Sequence, residues 1–269
     1  MVAFSEEVIK KLNYNYEESF ENSYELFKKY TSKSFTNEKA EEFANIGFGS
    51  RLRMLARCVH NVYKICPLER IEKPTNEELY DLTINLQSFI FNAYGCLDNL
   101  AWIWVKEKEI KSSKGRELPN SKIGLLGKYK NGNDKGEYKF KEVRESFSPE
   151  FLEYLKTMDD WFEDLENFRH ALAHRIPPYV IPYILNKKDK KKQMELIDSY
   201  MNSIINNDSD KCKKIKNEIK SIGIFAPYLT HSYSEKSHKI IFHGQIIIDL
   251  KTIIEIAEKL LNELESPQD

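Results

Sequence analysis

Apolar residues recur every three or four positions along most of the chain, which is the spacing of amphipathic helices with marked ends. Helices are predicted from Ser5 to about Tyr30 and from Asn37 to about Cys66, the second weakened early by Gly47 and Gly49 and closed by Pro67. Thr75-Asn76-Glu77-Glu78 has the form of a capping box, and opens a third helix to about Ile110. Ser148-Pro149, an N-cap followed by a first-turn proline, opens a fourth that stops before Pro177-Pro178. Four such helices predict a mainly α protein, an antiparallel helical bundle. Past residue 185 the pattern changes. A helix is expected after the lysines at 187–192, and Ile222 to Leu250, with Pro227 and the run Lys239-Ile240-Ile241-Phe242-His243-Gly244-Gln245-Ile246-Ile247-Ile248, suggests a β-hairpin or two short strands. Thr252-Ile253-Ile254-Glu255 reads as a second capping box opening a final helix to about Glu263. The expected organisation is a bundle over 1–185 and an extension over 186–269 that packs on it.

One segment departs from the helical period. Residues 111–141, within a loop expected over 111–147, hold five of the ten glycines and nine Lys/Arg against three Asp/Glu. Further lysines cluster at 187–192 and 211–220, although the whole chain of 269 residues balances 41 Lys+Arg against 42 Asp+Glu. That balance argues against strong nonspecific nucleic-acid binding, but it is a cancellation and leaves room for a local basic approach. Aromatic residues at 12% exclude a disordered chain, and the few glycines and prolines argue against a loop-rich all-β protein. Cys58, Cys66, Cys96 and Cys212 have no metal-type spacing and read as reduced thiols. The acidic start MVAFSEEV is unlike a secretory leader, and the apolar stretch 89–105 is interrupted by Asn92, Asp98 and Asn99. The expectation is a soluble cytoplasmic protein with no membrane segment, no metal and no cofactor.

The candidate chemistry lies where amphipathic order breaks. The stripe of the fourth helix steps through Leu155, Met158, Phe162 and Leu165 and resumes at Leu172 and Ile176, with Arg169 in the missing place. A guanidinium there must reach water, an anion or a carboxylate. Asp98, on a third helix apolar on two faces, is the expected partner. Its remaining face, Asn85, Ser88, Asn92 and Asn99, either lines a cleft or meets solvent. His170 and His174 share one side of the fourth helix with Glu163 and Glu166. Imidazole moves protons near neutral pH and guanidinium binds phosphate bidentately, a combination that suits phosphodiester cleavage.

Arg169-His170-Ala171-Leu172-Ala173-His174, near the end of a long helix beside an earlier helix with an acidic residue, resembles the Arg-x4-His motif of the HEPN superfamily. The resemblance covers roughly residues 37–176. It implies a bundle that dimerises with its motif helices facing each other and, in many members, acts as a metal-independent endoribonuclease (a hydrolase) in toxin–antitoxin, antiphage or RNA-processing settings. On that reading Arg169 and His174 are catalytic, His170 assists, and Asp98 orients Arg169; Asn99, Arg175 and Tyr179 are the substrate-binding candidates. Arg169 and His174 are five residues apart, about 140° around an ideal helix, so they converge only through a loosened last turn or across a dimer. The implied partners are RNA or a nucleotide, a second copy, and an antitoxin-type protein.

Two alternatives use the same residues. A noncatalytic dimer would bind nucleotide, RNA or a partner protein through Arg169 as an anion anchor. A metal-binding helical protein would use His170 and His174 with Glu166, although Ala171 stands where a zinc protease needs its glutamate. The strip Ile176-Pro177-Pro178-Tyr179 is expected to be extended. His231, His238 and His243 flank the tail hairpin without an assigned role.

Overall fold

The computed structural model describes residues 4–129, 133–232 and 237–266. They form a mainly helical protein with a small three-stranded antiparallel sheet near the C-terminus. Helix α1 (Glu6–Ser32) is capped by the Ser5 hydroxyl. The second predicted helix starts one residue late and is not uniform. It comprises α2 (Glu38–Glu42), a π-helical segment (Phe43–Phe48) and α3 (Gly49–Ile65). The π segment brings Gly47 so close to Asn99 that a Cβ there would lie 2.9 Å from the Asn99 amide nitrogen.

The long helix α4 (Asn76–Glu107) begins with the capping box read in the sequence. Thr75 Oγ1 accepts from Glu78 N at 3.2 Å, and Glu78 Oε2 accepts from Thr75 N at 2.7 Å. Arg70 adds a bidentate pair to Glu78, and together these bonds hold that carboxyl down to about 2. At the other end, the Glu107 carboxylate accepts from the backbone of Thr36 and Asn37, fixing the start of α2.

The fourth predicted helix is two. Helices α6 (Pro149–Thr157) and α7 (Asp159–His174) meet at Met158, whose ψ of −1° breaks the α geometry. The preceding segment holds the break, with Tyr138 Oη donating to Asp159 Oδ2 at 2.7 Å and Lys128 pairing with the same oxygen at 2.6 Å. The basic loop is thus folded back onto the acidic side of α7, where Lys139 also pairs with Glu166 at 3.1 Å. Within it, α5 (Lys141–Arg144) ends in a buried arginine that lies over the Tyr138 ring at 3.7 Å and donates to Leu125 O.

The tail contains the expected pair of short strands but departs from its sequence reading in the residues that follow them. Strand β1 (Tyr179–Val180) pairs with β2 (Tyr228–Thr230), and β2 with β3 (Ile240–Ile241). The run of isoleucines after Ile241 is helical, within α10 (Phe242–Glu265). The expected box at Thr252 is therefore mid-helix, and its hydroxyl bonds back to Ile248 O at 2.9 Å. The reason is a 3.6-residue period through Phe242, Ile246, Leu250, Ile253, Ala257, Leu260 and Leu264, all buried, which outweighs the β preference of the branched residues. Helix α10 packs on α1, α3, α4 and α6, and its apolar face belongs to the same core as theirs. A buried bond from Tyr30 Oη to Ala257 O, 2.7 Å long, ties it to α1. Between β1 and β2, α8 (Lys187–Ile205) and α9 (Ser209–Ser221) pair mainly with each other.

Candidate functional site

Helix α7 keeps its α geometry to the end, with Arg175 N bonded to Ala171 O at 3.0 Å. The last turn does not loosen, so Arg169 and His174 project about 140° apart. His170 and His174 do come together, both exposed, with ring centroids 5.0 Å apart. Arg169 is half-buried on another side. The apolar stripe passes beside it through buried Phe168 and Ala171, and its guanidinium carbon sits 5.0 Å from the centroid of the Tyr94 ring. This cation–π contact with α4 is the tertiary partner of the arginine.

Asp98 lies one turn beyond Tyr94 on α4. The expected ionic partnership of Asp98 with Arg169 is not a contact ion pair; the two act on each other only through space. The Asp98 side chain reaches solvent, yet protein crowds its carboxyl. That desolvation outweighs the pull of the Arg169 and Arg51 guanidiniums and raises it to about 6. Burial, with Asp98 and Glu166 nearby, raises the Tyr94 phenol to about 12.

Asn99 is not open to a substrate. It is 9% exposed and its Oδ1 accepts from Arg51 Nε at 3.0 Å. Arg51 Nη1 reaches Asn92 Oδ1 at 3.1 Å, and Asn61 Nδ2 donates to Asn85 Oδ1 at 2.9 Å. The polar face of α4 is thus half-buried, with only Asn99 enclosed. It is a hydrogen-bonded seam against α3. The sequence reading missed Arg51, and the available signal was the 4-3-4-3-4 spacing of Asp81, Asn85, Ser88, Asn92, Gly95 and Asn99, which repeats like a helix–helix contact.

The remaining candidates are dispersed. Arg175 is exposed and donates to Asn167 Oδ1 at 2.9 Å. Tyr179 is half-buried in β1, opposite Thr230. His231 is buried edge-on against Phe168 at 5.4 Å, and His238 is exposed beside a cavity of about 60 Å³. His243 is buried among Phe4, Tyr63 and Phe242, with Nε2 2.6 Å from Cys66 O, and burial lowers it to about 4. Among the described residues, no three His, Cys, Asp or Glu side chains group as metal ligands, and no helix is long and apolar enough to cross a membrane. No known protein family, curated protein or solved structure matches this chain.

The surface around Arg169 has one further property. Tyr80, Ile84 and Phe91 are 70%, 62% and 51% exposed and lie on the same side of α4 as Tyr94 and Asp98, at spacings of four, seven, three and four. The helix read as apolar on two faces is therefore not buried on both, since Phe91 is open. An open apolar row leads along the helix into the charged site.

Proposed function

We propose that this protein is a HEPN-like homodimer that binds RNA and cleaves it without a metal ion. The observation that carries the reading is the end of α7, where Arg169, His170 and His174 lie on six consecutive residues beside a carboxyl raised to about 6. Two imidazoles and a guanidinium supply what phosphodiester transfer needs. One imidazole, assigned to His174, takes the proton of the 2′-hydroxyl while that oxygen attacks phosphorus. The P–O5′ bond breaks as a second imidazole protonates the leaving oxygen, giving a 2′,3′-cyclic phosphate and a 5′-hydroxyl. Arg169 neutralises charge on the nonbridging oxygens. The divergence of Arg169 and His174 along α7 makes the site composite, with one copy's arginine facing the other copy's histidines. The apolar row Tyr80, Ile84, Phe91 is the proposed contact.

The test is incubation of single-stranded and structured RNA with the protein in EDTA. The expected result is cleavage leaving cyclic phosphate ends, slowed about 10²-fold or more by His174→Ala. Absence of cleavage by the wild type sinks the enzymatic reading. RNA retained but uncut would favour the noncatalytic dimer, a reading to which the stacking of Arg169 on Tyr94 also lends itself.

A further inference from the structure

We infer that Arg51 is the second phosphate-binding guanidinium of this site, so that the RNA backbone lies across α4 from Arg51 to Arg169 with Asp98 between them. The inference rests on the RNA reading above and names a residue that the Arg-x4-His resemblance does not include. Three observations carry it.

The first is that the guanidinium is fixed. Its Nε and Nη1 are held at 3.0 Å and 3.1 Å by Asn99 and Asn92, and a Cβ at Gly95 would lie 2.6 Å from its central carbon. The glycine therefore lets the group lie flat against the backbone of α4. Asn99 is in turn backed by Gly47. An arginine held this way has lost most of its rotamer freedom before any ligand arrives, which lowers the cost of binding.

The second is that its charge is not cancelled. Both partners are neutral amides, and among the described residues Nη2 makes no hydrogen bond and Arg51 no ion pair. A clip between helices needs only donors, but this one keeps a full positive charge and a free edge of N–H groups, the fork that matches phosphate.

The third is placement. Arg51 from α3 and Arg169 from α7, two helices that both pack on α4, are the two cations whose fields reach Asp98. A backbone phosphate bound between them would be flanked by both guanidiniums, and Asp98, within the field of each, could take up a proton to admit it.

Fluorescence anisotropy of a labelled single-stranded RNA 12-mer, titrated in EDTA over a potassium chloride series, tests it. Arg51→Gln is expected to weaken binding about tenfold and to reduce the salt slope by about one phosphate contact. Arg51→Lys should recover the slope but only part of the affinity, because the charge returns without the fork. Gly95→Ala keeps the charge and displaces the guanidinium, and its methyl meets only the end of a flexible side chain. It should weaken binding in a protein whose melting curve stays cooperative. Wild-type affinity and slope in folded Arg51→Gln overturn the inference and leave the RNA reading standing. Failure of the wild type to bind RNA at all removes both.

Discussion

Two buried titratable side chains outside the site set opposite pH dependences. Asp249, in the apolar interior of α10, accepts from Trp161 Nε1 at 2.9 Å and Gln245 Nε2 at 2.8 Å, both on Oδ1. Burial raises it to about 6 despite those bonds. Between the ordinary carboxyl range and about 6, the folded protein holds a proton that the unfolded chain has released. Stability therefore falls as pH rises through that window, and the penalty is complete above it. Asp249→Asn keeps the acceptor and removes the charge. Its expected gain over the wild type is nil near pH 4 and grows to at most about 3 kcal/mol at pH 7.5, measured by urea denaturation at both pH values. His243 has the reverse sign. Its imidazole stays neutral in the fold down to about 4, so the unfolded chain binds the extra proton and stability is lost as pH falls from about 6.5. NMR titration should find His243 as the Nε2–H tautomer at pH 5, donating to Cys66 O; a charged ring there would contradict the buried geometry.

At the scale of elements, the last third of the chain contains two parts of opposite importance. Helix α10 completes the core, so Ile253→Ala, fully buried, is expected to cost about 2–4 kcal/mol in a single cooperative transition, and removing the helix should leave no folded bundle. The α8–α9 hairpin contributes few buried residues, and its ends are stapled by reciprocal bonds between Ile184 and Ile224 at 2.8 Å and 3.0 Å. Replacing residues 187–221 by a short Gly-Ser linker should leave the melting temperature within a few degrees of the wild type, provided the staple closes the gap. A collapse on excision would mean that the hairpin supports the bundle. Residue 185 thus lies where an excursion begins, and the chain is back in the core by Phe225.

At the scale of the whole molecule, the charge arithmetic needs its three-dimensional partner. The basic loop is not a free lysine-rich arm, since Lys128 and Lys139 are spent on Asp159 and Glu166 of α7. On the proposed RNA reading, the approach to the site would then rely on Arg51, Arg169 and the exposed histidines, with Lys128 and Lys139 already paired. If the apolar row on α4 joins two copies, Phe91→Glu should give a monomer by light scattering and abolish cleavage while leaving the melting curve of the chain cooperative, because Phe91 is half exposed and not a core residue. A monomeric wild type with undiminished activity would refute the composite site.

Local chemistry was enough to read several features from the sequence. The Thr75 capping box, the Ser148 cap and the helical period all depend on residues within a turn of each other, and they appear where the spacing put them. The joining of His170 to His174 follows from a four-residue step in the same way. What no local pattern contains is which face meets which neighbour. The break at Met158 is held by Asp159's partners twenty and more residues earlier, the isoleucines of α10 become helix because four other helices bury them, and Arg169 meets Tyr94 and not Asp98. Arg51 became visible for the same reason: its partners lie 41 and 48 residues away, and only packing brings them within hydrogen-bond reach.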